Sequence, residues 1–254
     1  MNKKIIVLCV VLLAMFPLLL TSQSAVKGSG VNGSTGVVVS PTARIGWEYS
    51  NFGLDFGYSF LYNGQMDHVP SINFSIRRKA EIGMAFNIHD DDNFNLLFHG
   101  KFQFFREAGS SLAMGLDGEF ANLGNDSNFY LTPYIVTSFS GNFFTWPAVT
   151  SMMFGWHMIQ AGSISSNFAF SMGFELALAP KVFKNYIFLI SDFSNYSYSI
   201  SSMIDAGRRG AFNTGLRIDP VKKGKFKFTI DLVGTDLLDS NRGFMASAVF
   251  GFGF

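Results

Sequence analysis

Four histidines, His68, His89, His99 and His157, are the side chains of this chain best suited to move protons near neutral pH. A lipid hydrolase or acyltransferase would pair such a His with a Ser nucleophile. No His here has a Ser two residues on, so no catalytic residue is assigned and the chain is read as a non-enzyme. His89-Asp90-Asp91-Asp92 gathers hard oxygen ligands of the kind Ca²⁺ takes. The same run makes an ordinary solvated turn, and no metal site is assigned. Gly28-x-Gly30-x-x-Gly33 has the spacing of a dinucleotide loop, but no strand precedes it and no helix follows, so no cofactor is expected.

A larger set of charges recurs at alternate positions. Arg44, Glu48, Asp55, Arg77, Glu81, Lys101, Asp117, Glu119, Glu175, Arg217, Lys225, Lys227 and Asp231 all fall on the same side of alternating segments. Both signs occur in similar numbers. Such a face lines a water-filled path, or it pairs across a lumen and fills it. The mixed sign predicts little charge selectivity. Gly57, Gly83, Ala85, Ala113, Gly115, Ala169, Gly173 and Ala177 share this face and leave space. Leu97, Phe105, Met153, Ile187 and Leu189 are also read as facing inward, which keeps a hydrophobic-ligand transporter open.

The elements that must carry these residues are strands, because successive side chains of a strand point to opposite faces. Phe168, Phe170, Met172, Phe174, Leu176 and Leu178 alternate with Ala169, Ser171, Gly173, Glu175 and Ala177. Phe226, Phe228, Ile230 and Leu232 alternate with Lys225, Lys227, Thr229 and Asp231. Comparable patterns run through 43–49, 54–62, 71–77, 80–88, 94–103, 112–119, 129–138, 151–159, 184–191, 211–218 and 244–254. These segments have the length of a tilted strand crossing a bilayer, and a closed barrel satisfies every backbone group there.

Composition agrees. Charged residues are 15% of the 254 and aromatics 16%, with 30 Phe. A soluble domain carries roughly 25% charged residues. The formal net charge of +1 gives no basic face for nucleic acid, and one Cys excludes a disulfide scaffold. Lys3 and Lys4, the apolar run Ile5 to Leu20 and Thr21-Ser22-Gln23-Ser24-Ala25 follow the plan of a secretory signal peptide cut near Ala25. Cys9 would leave with it. The chain ends on an alternating strand with Phe250, Phe252 and Phe254. It resembles the terminal strand of bacterial outer-membrane barrels, which implies recognition by the barrel-assembly machinery.

The expected organisation is a signal peptide over 1–25, a flexible start over 26–34 and a barrel over 35–254. The fold class is all-β: a transmembrane antiparallel up-and-down β-barrel. Thirteen strand-like segments are one too many or too few for an even-numbered barrel. Twelve strands are expected through a merger of two segments, with 14 next if Thr35 to Ser40 is a separate strand. Short and long connections alternate, except at Phe139 to Val149, which is long where a short turn is due. The Ser- and Tyr-rich stretch Ser194 to Gly207 reads as an external loop able to meet a partner or polysaccharide.

Gly36-Val37-Val38-Val39-Ser40-Pro41-Thr42-Ala43-Arg44 resembles the opening of YjbH-like outer-membrane proteins. Residues 72–88, Phe174-Glu175 and Asp236-Leu237-Leu238-Asp239 are similar to later parts of that pattern. The resemblance implies a barrel linked to exopolysaccharide and supplies no catalytic residues. Two functions are therefore carried forward for a barrel in the outer membrane of a diderm bacterium. One is a passive or gated channel for small solutes. The other is a non-channel barrel in surface polysaccharide export or envelope architecture. The partners expected are outer-membrane lipids, the assembly machinery, and small solutes or polysaccharide.

Overall fold

The computed structural model describes residues 28–47, 50–90, 94–107, 109–122, 128–161, 163–198, 210–221, 224–238 and 242–254. Twelve antiparallel strands close into one barrel, each paired to its sequence neighbours and β1 to β12. They are β1 (Phe52–Tyr62), β2 (Met66–Ile76), β3 (Ala80–His89), β4 (Phe94–Glu107), β5 (Ser110–Ala121), β6 (Asn128–Phe143), β7 (Trp146–Ala161), β8 (Ser163–Ala177), β9 (Ile187–Ser194), β10 (Ala211–Ile218), β11 (Phe226–Thr235) and β12 (Gly243–Gly253). A single helical turn, α1 (Pro180–Phe183), joins β8 to β9. The rim where β1 starts and β12 ends is called the near rim below, and the opposite one the far rim.

The alternation sets the two faces. Phe56, Ile82, Met114, Ile135, Phe154, Phe226 and Phe250 stand exposed on the outside. Their alternates point into the lumen and are buried. An outside surface of this kind is disfavoured in water, by about 25 cal/mol for each Å² of apolar area, and suits hydrocarbon. The closed ladder leaves no unpaired strand edge, as a bilayer requires.

The strand number is the expected 12, but it is not reached by merging two segments. The alternating segment 43–49 is not in the wall. Its described residues, 43–47, are buried inside the barrel and form no strand. Thr35 to Ser40 is not a strand either; this part of the chain makes isolated bridges, Ser29 to Thr35 and Gly36 to Pro41. Residues 28–34, read from sequence as a flexible start, also lie packed inside. The break at Phe139 to Val149 disappears, because β6 and β7 are each 16 residues long and meet at a two-residue turn, Phe144-Thr145.

Candidate functional site

Strand register places the inner-wall charges in contact. Glu81 on β3 lies directly opposite Lys101 on β4, and their charged atoms are 2.8 Å apart. Arg217 on β10 lies opposite Asp231 on β11 and grips both its oxygens, at 2.8 and 2.7 Å. Arg217 Nη1 also donates to Glu175 Oε2 at 2.7 Å. Asp55 on β1 and Lys227 on β11 flank Gly251 of β12 from either side and meet over it at 2.6 Å. A Cβ at Gly251 would stand 2.0 Å from Asp55 Oδ1 and 2.9 Å from the Trp47 ring, so only glycine leaves room for this bridge. Charges this far from water need partners with good geometry, and these have them.

The space between the walls is filled by residues 28–47 of the same chain. Val31, Val37 and Val38 pack with Leu61, Val69, Leu97, Ile190, Val233 and Met245. Ala43 packs with Ala113, Tyr134, Val136, Met153 and Ala169. The polar wall holds the main chain of the segment. Glu81 Oε1 accepts from Thr35 N at 2.9 Å, and Lys101 Nζ donates to Thr35 O at 3.0 Å. Asp192 Oδ2 accepts from the amides of Val38, Val39 and Ser40 at 3.0, 2.6 and 2.9 Å. Arg217 Nη2 donates to the carbonyls of Gly36 and Val37. His99 Nδ1 donates to Asn32 O at 3.2 Å. Towards the near rim, Ser138 and Gln103 take the amide and carbonyl of Ala43, and Arg44 donates to Gly109 O and Ser140 Oγ. Trp47 Nε1 donates to Asp55 Oδ1 at 2.9 Å, under the Lys227 ammonium. The segment is thus tied to β1, β3, β4, β6, β9 and β10.

Of the charges read from sequence as lumen-lining, Asp55, Glu81, Lys101, Asp117, Glu119, Glu175, Arg217, Lys227 and Asp231 stand on the inner wall. Arg77 does not: it is exposed on the β2–β3 turn, where a positive φ of 49° ends the strand. Lys225 is exposed at the near rim. Arg44 is inside, but on the inserted segment rather than the wall. Glu48 lies outside the described residues. Two wall carboxylates escaped the sequence reading, Asp67 on β2 and Asp192 on β9, both buried. Asp192 marks an inverted phase. On β9 it is Phe188, Ile190, Asp192 and Ser194 that face inward, so Ile187 and Leu189 face out. Phe105 also faces out, because a bulge between Gln103 and Phe105 shifts the alternation. Leu97 and Met153 do face inward, where the inserted segment covers them.

The corrected wall is not balanced. Among the described strand residues, Asp55, Asp67, Glu81, Asp117, Glu119, Glu175, Asp192 and Asp231 face inward against Lys101, Arg217, Lys227 and, exposed at the near rim, Arg106 opposite Ser111. The expectation of little charge selectivity counted Arg44, Arg77 and Lys225 as wall cations and left out Asp67 and Asp192.

At the far rim the first residues after β9 turn into the barrel. Burial pushes the Tyr196 phenol well up, and its hydroxyl donates to Ser171 Oγ at 3.1 Å. Tyr198 donates to Asp67 Oδ2 at 2.8 Å, and Asp67 Oδ1 lies 2.6 Å from His89 Nδ1. The rest of the expected external loop, 199–207, is outside the described residues, as are Asp91 and Asp92 of the acidic run. His157 faces the lumen with Nδ1 2.7 Å from Thr132 Oγ1, and His68 faces out beside Tyr58. Phe250, Phe252 and Phe254 are exposed on the outer face.

This closed 12-stranded barrel has the fold of the outer-membrane porins. Two solved structures show it. The KdgM porin, in complex with disordered oligogalacturonate, superposes with a TM-score of 0.53 at 6% identity, over 80% of this chain and 99% of that one. The NanC porin superposes with a TM-score of 0.53 at 8% identity, over 79% and 100%. No protein-family model and no curated protein matches the chain.

Proposed function

We propose that the chain is an outer-membrane channel for small polar solutes, closed at rest by its own residues 28–47. The observation that carries this reading is a charged, ion-paired inner wall inside a barrel whose outside is apolar. The porin fold supports it. On this reading the leader 1–25 is removed, and the assembly machinery reads Phe250, Phe252 and Phe254. The near rim then faces the periplasm of a diderm bacterium. Asp55, Glu81, Lys101, Asp117, Glu119, Glu175, Arg217, Lys227 and Asp231 line the path. Oligogalacturonate, the ligand in the KdgM structure, is a polyanion. The excess of wall carboxylates here argues against such a solute and for cations or zwitterions.

A second reading, a non-channel barrel in surface polysaccharide export or envelope architecture, draws on the filled lumen and on the YjbH-like opening at 36–44. Planar-bilayer recordings of the refolded mature chain separate the two. A channel gives discrete ohmic openings, and neutral variants of Lys101, Glu119 and Glu175 alter their size or ion preference. A folded protein that stays silent, both as wild type and with Asp192→Asn, supports the second reading instead.

A further inference from the structure

The wall treats Thr35 to Ser40 as a peptide rather than as a particular sequence. Over these residues Glu81, Lys101, Arg217 and Asp192 bond the Thr35 amide and carbonyl, the Gly36 and Val37 carbonyls, and the Val38, Val39 and Ser40 amides. Side chains of the segment add one polar contact, Thr35 Oγ1 to Glu81 Oε2, and a small apolar one, Val37 and Val38 in the cluster with Ile190 and Val233. A buried amide or carbonyl is satisfied by a neutral partner as well as by a charged one. Ser138 and Gln103 do this for Ala43 in the same segment. Along 35–40 the wall uses ionised groups instead, and two of them, Lys101 and Arg217, are themselves held by wall carboxylates. Groups arranged in this way remain paired and hydrated when the segment is elsewhere, and they offer both donors and acceptors to whatever enters.

We infer that this wall is a site for peptide main chain, that residues 35–40 are its resident occupant, and that the solute admitted in their place is a short peptide with a free amino terminus. The inference rests on the channel reading and names its substrate class. The excess of inner-wall carboxylates favours the amino terminus, and main-chain recognition beside an apolar cluster makes the site tolerant of the order of small and apolar residues.

The test uses the full mature chain in detergent, carrying V37C and G173C. A Cβ at Gly173 would stand 3.6 Å from Val37 Cβ, within the span of a disulfide. The pair locks the segment when oxidised and frees it when reduced. The probe is the hexapeptide Thr-Gly-Val-Val-Val-Ser with a free amino terminus and a fluorophore at its C-terminus, beside a scrambled version. Fluorescence anisotropy reads binding, and heat-modifiable gel migration confirms folding.

The reduced protein should bind both peptides with affinities within about threefold of each other, and the oxidised protein neither. Asp192→Asn weakens the resident segment and an entering peptide through the same three amides, so in the reduced protein it should leave both apparent affinities within about threefold. Binding of one peptide alone, equal binding by the oxidised protein, or no binding by the reduced one overturns the inference. Conductance that appears on reduction without peptide binding overturns it and leaves the channel intact. Loss of both removes the channel reading as well.

Discussion

Asp192→Asn should open the barrel without unmaking it. One oxygen of Asp192 accepts three backbone amides of the inserted segment, at 2.6 to 3.0 Å. The other accepts from Asn213 Nδ2 at 2.7 Å. An amide side chain keeps one acceptor oxygen but loses the charge, and its NH₂ meets either the three amides or the Asn213 donor. Hydrogen bonds to a charged group are worth about 1.5–3 kcal/mol against 0.5–1.5 for neutral ones, and an unsatisfied donor costs about 1–3 kcal/mol. The segment also keeps its ties to Glu81, Lys101, Arg217 and Asp55, so the net loss falls at about 1–3 kcal/mol. That multiplies the ratio of open to closed states by about five to 150. The wall ladder is untouched, since Asp192 pairs through its backbone with Asn213. Open probability in single-channel records at fixed voltage measures the effect. An unchanged or lower open probability in protein shown to be folded refutes the idea that Asp192 holds the segment closed.

Three further outcomes follow from the same geometry. With eight inward carboxylates against four cations among the described strand residues, the reversal potential in a KCl gradient should show cation preference, and Asp117→Asn with Glu119→Gln should reduce it; anion preference contradicts the wall assignment. Gly251→Ala places a methyl 2.0 Å from Asp55 Oδ1 and should lower stability by about 1–3 kcal/mol, read as a drop in the temperature of heat-modified migration. Arg217→Leu leaves Glu175 and Asp231 buried without their cation. It should cost about 3–5 kcal/mol, whereas the double change with Asp231→Leu should recover part of the loss in the same melting assay.

Strands such as β8, β11 and β12 were legible because large apolar and small or charged residues alternate without a break. Phe226-Lys227-Phe228-Thr229 admits one phase only. On β9 the four residues Ile187 to Ile190 are all apolar, so alternation says nothing until Asp192, which lies beyond the expected strand end. At Phe104-Phe105 a bulge sends two successive aromatics outward, and no period-two pattern anticipates that. The inserted segment misled for a different reason. Ala43, Ile45 and Trp47 alternate with Arg44 and Gly46 as a wall strand would, but here both faces are buried. Its signals were the density of Gly28, Gly30, Gly33 and Gly36 and the Pro at position 41, which suit close packing in a narrow lumen better than a ladder. The wall charges were largely legible; their imbalance was not, because it depends on which cations leave the wall for a turn or for the segment and on Asp67 and Asp192, which lay outside the expected strands.

The most direct measurement is single-channel conductance of the mature chain carrying V37C and G173C, first oxidised and then reduced in the same bilayer. The oxidised protein should be silent, and reductant should bring discrete ohmic openings that oxidant abolishes. Equal conductance in both states would contradict a lumen closed by residues 28–47, and silence in both, from folded protein, would contradict a channel.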